Sequence, residues 1–165
     1  MRGSRAYAEV GELYAACYPR IVGVVALAAG SRAEAEECVQ EAFIRLLGAW
    51  DKVAWYNNPE AWVRAVAFNL LSNSRRKTRN GVLALVRLGR ARDEAPSADE
   101  PTDVAWALRQ LPLPQRQTVV LHYLVGLNVD EVARTLDIAP GTVKSRLSRA
   151  RDALAPLLRE EAPHA

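Results

Sequence analysis

Four cations crowd one short stretch near the end of this chain: Lys144, Arg146, Arg149 and Arg151, with no acid among them. Thr142 and Ser145 add hydroxyls to the same stretch. Guanidinium and ammonium groups bind phosphates, and arginine with small hydroxyls also reads base edges, so the chemistry on offer is nucleic-acid recognition. A second basic concentration runs from Arg75 to Arg92, ahead of the first following acid at Asp93. A third group is uncharged. Trp55 and Tyr56 offer flat faces for an unstacked base, and Asn57 and Asn58 offer paired donors and acceptors for its edge. Each group has a plainer reading: a solvated helix face for the charges, and a cover over a hydrophobic core for the aromatics. Position has to decide between them.

Other chemistries find less support. No Ser/His/Asp or Cys/His set and no phosphate loop is visible, and His122 and His164 lie far from any ligand pattern. The expectation is a non-enzymatic protein without cofactor or metal. Cys17 and Cys38 stand alone, without the paired spacing of a zinc site or a disulfide framework, which suits a reducing, cytoplasmic setting. The apolar run from Ile21 to Gly30 is too short to span a bilayer, so no membrane insertion is expected. Half of the 165 residues are hydrophobic and a quarter are charged, a globular balance with a net charge of only +3. Any case for nucleic acid therefore rests on where the charges lie. Residues 1–74 carry 7 basic and 8 acidic side chains, residues 75–102 carry 7 and 4, and residues 103–165 carry 8 and 7.

The elements that must position these residues read as helix throughout, since Val, Ile and Thr nowhere alternate over a strand's length. Tyr7 to Cys17 has helical apolar spacing, and Pro19 is expected to start a second helix reaching about Ala29. Ser31 with Glu34 has the spacing of a capping box. It would open a helix to about Trp50 with Ala35, Cys38, Val39, Ala42, Phe43, Leu46, Leu47 and Trp50 on its inner half. Glu34, Glu37, Glu41 and Arg45 fall outside, with Gln40 at the border. A loop follows over 51–58. Asn58-Pro59 caps a helix to about Lys77, with Trp62, like Trp50, assigned to core. Segment 79–102 reads as a linker, although the apolar cluster Val82 to Leu88 is awkward there and could extend a helix.

Beyond the linker a short helix (Val104 to Gln110) precedes Pro112, Pro114 and a helix to about Val125. Asn128 then caps a helix to Leu136, and a last helix runs from Gly141 to about Leu158. In the final pair, Val132 and Leu136 face inward with small Ala133, and Val143 and Leu147 meet them. Thr142, Lys144, Ser145, Arg146 and Arg149 are left facing out. That is a helix-turn-helix whose second helix carries the face needed to enter a major groove.

The chain also resembles a family. Leu111-Pro112-Leu113-Pro114-Gln115-Arg116, then Glu131-Val132-Ala133 and Gly141-Thr142-Val143-Lys144-Ser145-Arg146, are similar to the DNA-binding domain of bacterial sigma-70-type factors, most of all the extracytoplasmic-function group. Ala35-Glu36-Glu37-Cys38-Val39-Gln40-Glu41-Ala42-Phe43 resembles the family's polymerase-binding helix. Pro59-Glu60-Ala61-Trp62-Val63 and Val66-Ala67-Phe68-Asn69, ending at Arg75-Arg76, resemble its promoter-melting helix. Asn73 stands where the family usually has Asp, and Asp137 where it often has Gly.

The resemblance implies an all-α protein of two small helical domains, residues 1–78 and 103–165, joined by a linker over 79–102. It implies that Glu34, Glu37, Gln40 and Glu41 bind RNA polymerase core. Trp55, Tyr56, Asn57, Asn58, Asn69, Arg75 and Arg76 would capture the −10 element, and Thr142, Lys144, Ser145, Arg146 and Arg149 would read the −35 element. Partners implied are RNA polymerase core, promoter DNA and an anti-sigma factor, the chain being a monomer when free of them. The competing reading is a stand-alone helix-turn-helix regulator that binds duplex DNA as a dimer.

Overall fold

A computed structural model describes residues 2–86 and 102–159, and everything described is helix, turn or loop. The elements are α1 (Arg2–Ala29), α2 (Arg32–Val53), α3 (Pro59–Val86), α4 (Asp103–Arg109), α5 (Leu113–Val119), α6 (Val129–Leu136) and α7 (Pro140–Arg159). A π-helical turn, Val120–Leu124, continues α5. The protein is all-α, with the first three helices forming one unit and the last four another.

Pro19 does not divide α1, contrary to expectation: one helix runs through it. An interior proline costs about 3 kcal/mol. Val10, Cys17, Ile21, Val22, Val25 and Ala28 lie buried along the helix on both sides of it, and each large apolar side chain so buried contributes roughly 1.5–3 kcal/mol. Tyr14 also stacks on Tyr18 just before the proline, with ring centroids 4.4 Å apart. Burial on both sides outweighs the lost hydrogen bond. By length and composition α1 could cross a membrane. In this fold its apolar stripe is instead packed into a core shared with α2 and α3.

α2 carries its expected inner face, with Ala35, Cys38, Val39, Ala42, Phe43 and Leu46 buried, and runs one turn further than expected to the buried Val53. Trp50 and Trp62 are half-buried against the core, and the Trp50 indole N–H donates to Glu9 at 2.7 Å. At the start of α2, Ser31 accepts from the Glu34 N–H at 3.3 Å. The Glu34 carboxylate does not complete the box, because Arg75 of α3 takes it. α3 continues to Val86, well into the segment expected to be linker. The remainder of that segment, 87–101, lies outside the described residues.

Cys17 and Cys38 are both buried and free. Burial pushes each thiol up to about 11. A thiol held protonated in the fold ionises first in the unfolded chain, so these two groups weaken the fold as pH rises past the ordinary thiol range.

Buried residues of the two helical units join in a single cluster, in which Phe68 and Leu71 of α3 belong with Leu108, Leu121, Val132 and Val143. The second unit packs on α1 and α3.

Candidate nucleic-acid interface

α6 begins at Asn128, whose side chain accepts from the Glu131 N–H at 2.9 Å while the Glu131 carboxylate accepts from the Asn128 N–H at 2.8 Å. This reciprocal cap satisfies two donors that the first turn would otherwise leave open. α6 stops at Asp137, which takes the left-handed conformation (φ 53°, ψ 53°). The chain then reverses, with the Ile138 N–H bonded to the Ala133 carbonyl at 3.0 Å. Pro140, whose ring pre-sets the helical φ, opens α7. Val132 and Ala133 of α6 and Val143, Leu147 and Ala150 of α7 are buried in the core.

That packing turns the other side of α7 to solvent. Lys144, Ser145 and Arg149 are exposed, and Thr142 and Arg146 half-buried. Ser145 donates to the Thr142 carbonyl at 3.2 Å. Partial burial lowers the Arg146 pKa, but a guanidinium stays charged at any pH the protein meets. Arg151, outside the predicted set, donates to the Tyr123 hydroxyl at 3.1 Å.

Asp137 offers a direct test of the turn. A left-handed residue costs roughly 1–2 kcal/mol unless it is glycine, with short polar side chains tolerated best. Asp137→Val should lower unfolding free energy by about 1–2 kcal/mol. Asp137→Gly should leave it unchanged or raise it by a few tenths, measured by urea unfolding.

The loop after α2 is short and anchored by Val53, whose carbonyl accepts from the Tyr56 N–H at 2.9 Å. Trp55 is 86% exposed and Tyr56 51%, so neither covers the core. Asn57 is exposed as well. Asn58 is the expected cap of α3: its side-chain oxygen accepts from the Ala61 N–H at 3.1 Å, which engages that oxygen within the chain. Its amide nitrogen carries the remaining donors.

The α3 residues divide. Arg76 is exposed and donates to Asn73 Oδ1 at 2.8 Å, so the amide that stands where the family usually has an acid orients this arginine without neutralising it. Arg75 is not free: its guanidinium makes a two-pronged bond to Glu34, at 3.0 and 2.7 Å, and donates to the Ala29 carbonyl. Asn69 donates to the Thr135 carbonyl of α6 at 3.3 Å. On α2, Glu37 and Gln40 are exposed, with Gln40 donating to the Tyr18 hydroxyl at 3.2 Å. Glu41 pairs with Arg45 at 3.0 Å in an exposed i,i+4 bridge. Glu34, expected beside them, is bound to Arg75 with its side chain only 19% exposed.

Sequence reasoning assigned no role to Arg109, Arg116 or Gln117. Arg116, 9% exposed, donates to the Ala28 carbonyl of α1 at 2.9 Å and to the Leu111 carbonyl at 3.0 Å. Gln117, 3% exposed, donates to the Phe68 carbonyl at 3.3 Å. The available signal was indirect. Arg116 and Gln117 sit on a seven-residue helix ending at the buried Val119, and Arg109 ends another of seven residues, each too short for a clear polar face.

The Sigma-70 region 2 profile matches residues 13–81, and the Sigma-70, region 4 profile matches residues 104–154. The chain is 34% identical to the ECF RNA polymerase sigma factor SigL of Mycobacterium tuberculosis, over 79% of this chain and 78% of that one. It is 29% identical to the ECF RNA polymerase sigma factor EcfG of Rhodopseudomonas palustris, over 78% of this chain and 74% of that one. With the "Probable RNA polymerase sigma factor RfaY" of Xanthomonas campestris pv. campestris it shares 28% identity over 86% of its own length, and it spans 38% of that protein. In three dimensions it is similar to the sigma factor RpoE of Bartonella quintana, solved in complex with the anti-sigma factor NepR. The TM-score is 0.74 at 24% identity, covering 92% of this chain and 97% of that one.

Proposed function

Because this chain belongs to the sigma-70 family, in its extracytoplasmic-function group, we propose that it binds RNA polymerase core and directs initiation at promoters recognised through a −35 and a −10 element. The observation that carries this reading is the α6–α7 pair: a reciprocally capped helix, a left-handed turn at Asp137, and a second helix presenting Lys144, Ser145 and Arg149 to solvent. In this assignment α7 enters the major groove at −35, while Trp55 and Tyr56, with Asn57, Arg76 and Asn69, receive the melted −10 strand. The outer face of α2 that carries Glu37, Gln40 and Glu41 meets polymerase. An anti-sigma protein holds the factor back until it is needed, and the chain acts in the cytoplasm without chemistry of its own.

The test is to mix the protein with core polymerase and a library of upstream sequences. Initiation should concentrate on a defined pair of elements, and starts distributed without regard to upstream sequence would overturn the proposal. Within that assay the cations of α7 should separate. Arg146→Ala should cost about 1–3 kcal/mol and relax preference at one −35 position. Lys144→Ala should weaken all promoters alike and shallow the salt dependence of binding, as expected for a lost phosphate contact.

A further inference from the structure

We propose that α3 carries a further duplex-reading face one turn beyond Arg76, with Asn80 on a base edge and Lys77 and Arg79 on the phosphates to either side. It extends the −10 assignment above into the spacer immediately upstream, and it rests on that assignment. The sequence pattern ends this helix near Lys77. In the structure α3 runs on to Val86, so Lys77, Arg79 and Asn80 are held on the same helix as Arg76. All three are exposed.

Helical phase sets their arrangement. At 3.6 residues per turn, Asn80 stands roughly 40° round from Arg76 and about 6 Å further along the axis. Lys77 lies about 60° to one side of Asn80 and Arg79 about 100° to the other. The buried Ala67, Phe68 and Leu71 lie on the far side of the helix. The result is one amide between two cations, and it suits a major groove. Asparagine pairs two-pronged with adenine N6 and N7, while ammonium and guanidinium groups bind the backbone and fix register. One turn earlier, Arg76 donates to Asn73 Oδ1 at 2.8 Å. Asn73 thereby keeps both amide hydrogens for a ligand and leaves the charge of Arg76 whole.

A solvated face is built differently in this protein. Surface arginines on α1 and α2 pair with an acid four residues away: Arg5 with Glu9, Arg32 with Glu36 and Arg45 with Glu41. No such partner is possible along this part of α3, because the chain has no acid between Glu60 and Asp93. Asparagine is also one of the weaker helix formers, so neither propensity nor packing explains an exposed Asn80 inside a 28-residue helix. Uncompensated cations around an amide fit a polyanion whose base edges can be read. An acidic protein surface would need no amide there. The chain leaves α3 towards the unit assigned to the −35 element, which puts this end of the helix on the upstream side of −10.

The test holds fixed the −35 and −10 elements selected in the library above and randomises the base pairs between them. With core polymerase the parent chain should favour adenine at one spacer position by roughly tenfold. Because Asn80 lies about 6 Å beyond Arg76, that position should fall within about two base pairs of the −10 element. Asn80→Ala should erase the preference and leave initiation unchanged on promoters that lack the adenine. Lys77→Ala with Arg79→Ala should keep the preference, weaken all promoters alike and reduce the salt slope of promoter binding by about two. Alanine is the better helix former at each position, so circular dichroism should show helicity retained.

A spacer without any preference, or one whose preference survives Asn80→Ala, would overturn base reading by this turn. An unchanged salt slope in the Lys77→Ala, Arg79→Ala chain would overturn the phosphate contacts. Loss of core polymerase capture by that chain in the absence of DNA would overturn them as well and place these cations on polymerase. Failure of the functional reading is distinct, because it appears one step earlier, as a parent chain that selects no −35 and −10 pair, and it takes this inference with it.

Discussion

A chain carrying Glu37→Ala with Glu41→Lys is expected to lose capture by RNA polymerase core while keeping its helicity and melting temperature. Both positions lie opposite the buried face of α2, formed by Cys38, Val39, Ala42, Phe43 and Leu46. Glu37 is exposed, and the Glu41–Arg45 bridge has side chains 46% and 54% exposed, so its loss costs the fold only a few tenths of a kcal/mol. At an interface the same carboxylates would face basic groups, where truncating one partner of a buried charge pair costs about 2–5 kcal/mol. That is a loss of roughly thirtyfold or more in affinity. Glu34 is left out of the variant because its carboxylate holds Arg75, and its removal would disturb α3. Pull-down with core and circular dichroism on the same preparation measure both halves of the expectation. Retained binding by the folded double variant would remove polymerase from this face and place its contact elsewhere on the chain.

Replacing Trp55 and Tyr56 together by Ala should abolish promoter melting and spare promoter recognition. The structure leaves both side chains exposed, 86% and 51%, so their truncation opens no cavity. Stacking of a base on an aromatic face is worth about 1–3 kcal/mol. Two such faces lost together, about 2–6 kcal/mol, should cost between about thirtyfold and roughly twenty-thousandfold in open-complex formation. Closed complexes should still assemble through α7. Permanganate reactivity of unpaired thymines near −10 reports the melted state directly and should fall towards the level of duplex DNA. Melting at the parental level would leave these aromatics without a part in strand capture.

The local architecture was legible in the residues. The limits of α6 follow from Asn128, Glu131 and Leu136, and the structure places them where the spacing does. The inner face of α2 and the opening of α3 at Pro59 follow in the same way. Caps, turns and apolar periodicity act over three or four residues, so they are written contiguously in the chain. The outward set on α7 was equally readable, because burying Val143 and Leu147 fixes where Lys144, Ser145 and Arg149 must point.

Tertiary structure decided what local pattern could not. Pro19 reads as a break, and the helix passes through it because residues on both sides bury into one core. Arg75 and Glu34 read as two surface contacts on different partners, and they bind each other across 41 residues of sequence. Arg109, Arg116 and Gln117 have no periodic signature, yet they carry bonds from the second unit to the first. The physical reason is common to all of them. A side chain's periodicity says which way it faces along its own helix. Only the meeting of two helices distant in sequence says whether an acceptor, a donor or water waits on that side.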